Sequence, residues 1–77
     1  MGKDLSFSVS MHEEELSDGT RVFVVECIEL GISDFGETLG EAINNLKAAI
    51  KLVLEEDPEK RRVLEKEEPS MITRIFL

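Results

Sequence analysis

Residues 38–56 read TLGEAINNLKAAIKLVLEE, and this stretch decides the fold. Leu39, Ala42, Ile43, Leu46, Ala49, Ile50, Val53 and Leu54 recur at helical spacing and form one continuous apolar stripe. Thr38 and Glu41 make a capping box. The threonine hydroxyl accepts from an orphan N–H, and the glutamate reaches back to the cap's own N–H. Gly40 in the first turn costs about 0.5–1 kcal/mol relative to alanine, a small local flaw. A helix over Leu39–Glu56 is roughly 27 Å long, enough to cross a small sheet. Leu52 falls off the stripe.

Upstream, Leu5, Phe7, Val9 and Met11 alternate with Ser6, Ser8, Ser10 and His12. That period of two predicts a half-buried strand with one serine-lined face. Glu13-Glu14-Glu15 breaks the pattern, and Ser17-Asp18-Gly19-Thr20 supplies a turn whose Asp-Gly pair suits a tight hairpin. A second strand is expected over Arg21–Ile28. Phe23, Val25 and Cys27 point one way, while Val22, Val24 and Ile28 point the other with Glu26. Gly31 and Gly36 bracket a short third strand, Ile32–Phe35. Downstream of the helix, Asp57-Pro58 reads as a second cap with proline at the first helical position. A short surface helix is expected over Glu59–Glu68, with Val63 and Leu64 its apolar residues. Met71–Leu77 reads as a last strand.

These elements predict one α+β domain over residues 1–77. Its layout is β-β-β-α-(α)-β, a four-stranded mixed sheet of order 3-2-1-4 with one long helix on one face. The last strand is expected parallel to the first after a right-handed crossover. Nothing obvious in the sequence covers the other face. Strands two and four carry apolar residues on both sides, and a large apolar patch seldom stays exposed on a soluble monomer. The expected outcome is a homodimer or higher oligomer formed through the open face or an edge strand.

Composition removes several function classes. Seventeen acidic against nine basic residues leave a net charge of −8, which repels phosphates and argues against direct nucleic acid binding. The only basic cluster, Lys60-Arg61-Arg62, is flanked by glutamates and reads as a solvated helix face. Four phenylalanines without tryptophan or tyrosine give no evident base-stacking platform. One cysteine, Cys27, excludes an internal disulfide and a thiolate zinc site, and one histidine, His12, excludes a two-histidine metal motif. His12 followed by acids reads as a solvated strand-end residue, and Cys27 in an apolar strand as core packing. A two-metal nuclease is excluded as well, since that chemistry needs a carboxylate in the middle of the first strand, where only serines and apolar residues stand. No phosphate-binding glycine loop is present. The expected protein is therefore not an enzyme and has no metal or cofactor. The longest uninterrupted apolar run, Val22–Val25, is too short for a membrane span or a signal peptide, so a cytoplasmic location is expected. Met1-Gly2 with Ser6 fits the N-myristoylation pattern, but a pattern this short recurs by chance.

The segment Val24-Val25-Glu26-Cys27-Ile28-Glu29-Leu30-Gly31-Ile32-Ser33-Asp34-Phe35-Gly36-Glu37-Thr38, continuing into Gly40-Glu41-Ala42 and Asn45-Leu46-Lys47, resembles the HicB-like antitoxin family. The likeness lies in a strand ending Glu-Cys-x-Glu-Leu, a Gly-Glu-Thr turn capping the helix, then Glu-Ala and Asn-Leu-Lys within it, over residues 19–56. The resemblance implies a partial ribonuclease H-like fold without nuclease activity. It also implies a partner, a small basic ribonuclease toxin of HicA type, whose active surface the antitoxin covers. The −8 charge suits such a partner. The expected contact residues are Glu26, Glu29, Asp34 and Glu37, with Thr38 and Glu41 as the helix cap. Many antitoxins of the family carry a DNA-binding domain after the last strand. These 77 residues hold none, so autorepression by this chain alone is not expected. The other expectation is an orphan homo-oligomer with a ligand-sensing or structural role.

Overall fold

A computed structural model describes residues 5–65 and 74–76. In chain order the elements are β1 (Ser6–Glu15), β2 (Arg21–Cys27), β3 (Ile32–Gly36), α1 (Leu39–Glu56), a 3-10 turn (Pro58–Lys60), α2 (Arg61–Glu65) and β4 (Arg74–Phe76). The expected strand residues Met71–Thr73 and Leu77, and the expected helical residues 66–68, lie outside the described residues.

β1 runs three residues beyond its alternating pattern. Glu13, Glu14 and Glu15 pair with Phe23, Val22 and Arg21, so the backbone ladder carries the strand where side-chain polarity no longer signals it. These glutamates are exposed, and Glu13 lies 3.5 Å from the guanidinium of Arg21. The hairpin closes where the Leu16 N–H donates to the Thr20 carbonyl and the Gly19 N–H donates to the Leu16 carbonyl. Gly19 takes φ +88°, the left-handed residue that ends a short hairpin loop. The Thr20 N–H donates to Asp18 Oδ1 at 2.9 Å and holds that carboxyl below its ordinary range.

β2 and β3 are joined by a tight turn in which the Gly31 N–H returns to the Cys27 carbonyl at 2.9 Å. α1 has the bounds its stripe predicts, and the Glu41 N–H donates to Thr38 Oγ1 at 3.1 Å. Only this half of the expected capping box forms among the described residues. The stripe buries Ala42, Leu46, Ile50 and Leu54 against Phe7, Val9, Val25 and Cys27. The approach is closest at Gly36, where a Cβ would stand 2.5 Å from the Ala42 nitrogen. Only glycine lets the helix start sit so near the end of β3.

Every strand pair is antiparallel. This overturns the expected four-stranded mixed sheet and, with it, the expected partial ribonuclease H-like arrangement. The body is a three-stranded antiparallel sheet, β3-β2-β1, packed with two helices. β4 adds three residues on the outer edge of β1, antiparallel to it, with Phe7 opposite Ile75. The expectation takes the long helix and the short surface helix together as one crossover that returns the chain parallel to its starting strand. Here Pro58 ends α1, and the 3-10 turn and α2 follow before β4. Because that segment packs against β1 as an element of its own, the chain enters the edge in the opposite sense. The single covering helix is likewise corrected to two on the same face. α1 lies over β2 and β3, while α2 reaches β1 and sinks Leu64 fully into the core.

Candidate protein-docking face

Strand alternation and register together sort the side chains of β1–β3. Phe7, Val9, Phe23, Val25, Cys27 and Ile32 belong to the core under the helices. The opposite face carries three cross-strand rows. His12, Val24 and Phe35 stand abreast, as do Ser10, Glu26 and Ser33, while Glu14 stands opposite Val22. Ser6 and Ser8, at the β4 end, are buried. From Ser10 onward β1 is exposed. The shortest extent of the molecule is 18 Å, the thickness of one sheet and one layer of helix at about 10 Å across. There is no third layer among the described residues. Neither Leu64, which faces the helices, nor the exposed Glu13–Leu16 segment roofs this face.

At its hairpin end the open face forms a shallow groove of about 440 Å³, lined by Glu14, Leu16, Val22, Val24, Ser33 and Phe35, with Asp34 at its margin. Val22 is its floor, 4% exposed, whereas Phe35 is 57% and Leu16 42% exposed. The face is thus apolar at one end and polar across its middle row, not apolar throughout as strand two by itself suggested. His12 Nε2 lies 2.8 Å from Glu14 Oε1 at the groove's rim.

The four acids expected to form one contact patch are not brought together. Glu26 is exposed on the open face, in the polar row. Glu37 follows β3 and is also exposed. Asp34 stands opposite Val25, on the other side of the sheet, and its Oδ1 accepts from the Phe35 N–H at 2.8 Å. Glu29 turns inward, and its two carboxylate oxygens accept from the Ser8 N–H at 2.8 and 3.0 Å. Its carboxylate takes over where β2 leaves β1, one residue beyond the Val9–Cys27 pair. Glu29 is thus part of the frame. Cys27 beside it is fully buried, with Sγ 3.9 Å from Glu29 Oε1. Burial pushes its thiol up, and the carboxylates of Glu29 and Glu26 push in the same direction. The resulting neutral thiol is a poor nucleophile.

Sequence reasoning missed Leu16, Phe35 and Asn45. Phe35 joins Val24 only through the β2–β3 register, which no local pattern reports. The Asn45 side-chain amide donates to the Phe35 carbonyl at 2.8 Å. Together with Asp34 it occupies both backbone groups that Phe35 turns outward at the sheet edge, which blunts that edge. Among the described residues no group of three or more His, Cys, Asp or Glu could hold a metal ion, and no helix is long and apolar enough to cross a membrane. No protein-family model, curated protein or solved structure matches this chain.

Proposed function

We propose that this chain is a non-catalytic protein-binding module of the HicB-like antitoxin kind, that its partner is a small basic ribonuclease, and that the open face of β1–β3 is the docking surface. The observation that carries the docking reading is Phe35, set beside Val22, Val24 and Leu16 on a sheet face that none of the described helices covers. A large aromatic side chain that is over half exposed above an apolar groove is the kind of anchor that interfaces concentrate. The antitoxin part rests on the sequence resemblance over residues 19–56. β2, β3 and α1 fall in that span, and β1 and the antiparallel β4 lie outside it.

The test compares tagged wild-type chain with Phe35→Asp in capture from lysate of the source cell, followed by an RNA cleavage assay on the captured protein. A small basic protein held by the wild type alone, cleaving RNA when released and silenced by one equivalent of the chain, is the expected result. A captured protein that does not cleave RNA overturns the antitoxin reading. Equal capture by Phe35→Asp overturns the docking face.

A further inference from the structure

On the helical side of the molecule, the last turns of α1 and the start of α2 border a second cavity, of about 380 Å³, lined by Leu5, Lys51, Leu54, Glu55 and Arg61. The local sequence places these groups. Lys51, Leu54 and Glu55 are spaced i, i+3 and i+4 and share one face of α1. Pro58 ends that helix, and the turn it opens brings Arg61 to the same cavity from the start of α2. Leu54, almost buried, and the half-buried Leu5 make an apolar floor, while Lys51, Glu55 and Arg61 are exposed around it.

The three charges are not paired with one another. The described ion pairs are His12–Glu14 and Glu13–Arg21, and neither involves this cavity. Lys51 precedes Glu55 by four residues, the weaker of the two orders for a helical ion pair. α1 adds a bias of its own, since its C-terminal turn is the negative end of the helix dipole and carries no basic side chain. A positive group is therefore favoured beside Glu55, and a negative one between Lys51 and Arg61. An anion without a positive group would meet Glu55, and a cation without a negative group would meet Lys51 and Arg61. Only a ligand that carries both charges next to an apolar body suits the whole lining.

We infer that this cavity binds a zwitterionic α-amino acid with an apolar side chain. Its carboxylate lies between Lys51 and Arg61, its ammonium group at Glu55 and its side chain on Leu5 and Leu54. The volume is within the range of small-molecule clefts, about 300–1,000 Å³. α1, which bears three of the five lining residues, packs on the sheet face opposite to Phe35. The site is thus independent of the docking face and adds a ligand to the function proposed above.

The full chain, labelled with ¹⁵N, is titrated with leucine and with two analogues, 4-methylpentanoate, which lacks the ammonium group, and 3-methylbutylamine, which lacks the carboxylate. Leucine is expected to shift the amides of Leu5, Lys51, Leu54 and Arg61. It is expected to bind about ten-fold more tightly than either analogue, since each analogue loses one charge-assisted contact. Glu55→Gln, whose fold is checked by its melting curve, is expected to remove the advantage of leucine over 4-methylpentanoate. Lys51→Gln, checked in the same way, is expected to narrow its advantage over 3-methylbutylamine. If 4-methylpentanoate binds as tightly as leucine, the ammonium contact is absent and the amino acid is overturned as the ligand. Equal binding of 3-methylbutylamine overturns it through the carboxylate. No amide shifts at about 50 mM leucine, or shifts gathered on β1 to β3, would overturn the site itself.

Discussion

Glu29 shows how a residue's chemistry is reassigned by its neighbours. Within its segment it is one acid among several, yet its carboxylate binds the amide of Ser8, 21 residues earlier. Glu29→Ala leaves that part-buried N–H without its acceptor and is expected to cost about 1–3 kcal/mol, read from urea unfolding. Glu29→Gln keeps one acceptor oxygen and is expected to cost less. Equal stability of all three chains would show that the contact carries no weight. Cys27 makes a second prediction. Its thiol titrates higher in the folded chain than in the unfolded one, so the folded state holds the proton more tightly. The stabilisation is complete below the unfolded thiol's value, about pH 8.5, and is lost as pH rises through the folded one. The melting temperature is therefore expected to fall on the alkaline side of about pH 8.5, and to do so less steeply in Cys27→Ala. Parallel alkaline limbs for the two chains would refute it.

Among the elements, α1 is held to the sheet at two kinds of contact. Along its length the stripe fills the core. At its start the backbone of Ala42 rests against Gly36, which leaves no room for a side chain. Gly36→Ala is expected to destabilise by about 1–3 kcal/mol, since neither backbone segment can yield cheaply. A Gly36→Ala chain melting with the wild type would place the two elements further apart than described. α2 has five residues and would not persist in isolation. Leu64 pins it, fully buried among residues of β1 and α1. Leu64→Ala is expected to cost about 2–5 kcal/mol, whereas Val63→Ala, at a partly exposed site, is expected to cost much less. Similar losses for both would mean that α2 docks through a different face.

At the scale of the whole molecule, one layer of helix on one layer of sheet leaves the opposite sheet face uncovered by the described helices. Phe35→Ser removes a side chain that is mostly in solvent and is expected to change unfolding free energy by less than about 1 kcal/mol, while it disrupts docking. A large stability loss would show that Phe35 belongs to the core and would remove the case for an interface. The helical layer carries five described cations, Lys47, Lys51, Lys60, Arg61 and Arg62. On the other side of the sheet Glu14 and Glu26 stand among the residues of β1 to β3, and the β1–β4 register sets Arg74 opposite Ser8 in the same alternation.

The sequence by itself determined the elements that short-range physics governs. Helical spacing marked α1 from Leu39 to Glu56, the threonine hydroxyl marked its start, Gly19 marked a hairpin turn where a positive φ is required, and Gly31 marked the start of β3. Strand alternation sorted the side chains of β1 and β2 into two faces, and the packing of the helices decided which face is the core. Only the tertiary structure decided the direction of β4, the burial of Leu64, the bond from Glu29 to Ser8 and the meeting of Phe35 with Val24. Each of those depends on strand register or on contacts between residues far apart in the chain. Such pairings are selected by the packing of the whole, and no local periodicity encodes them.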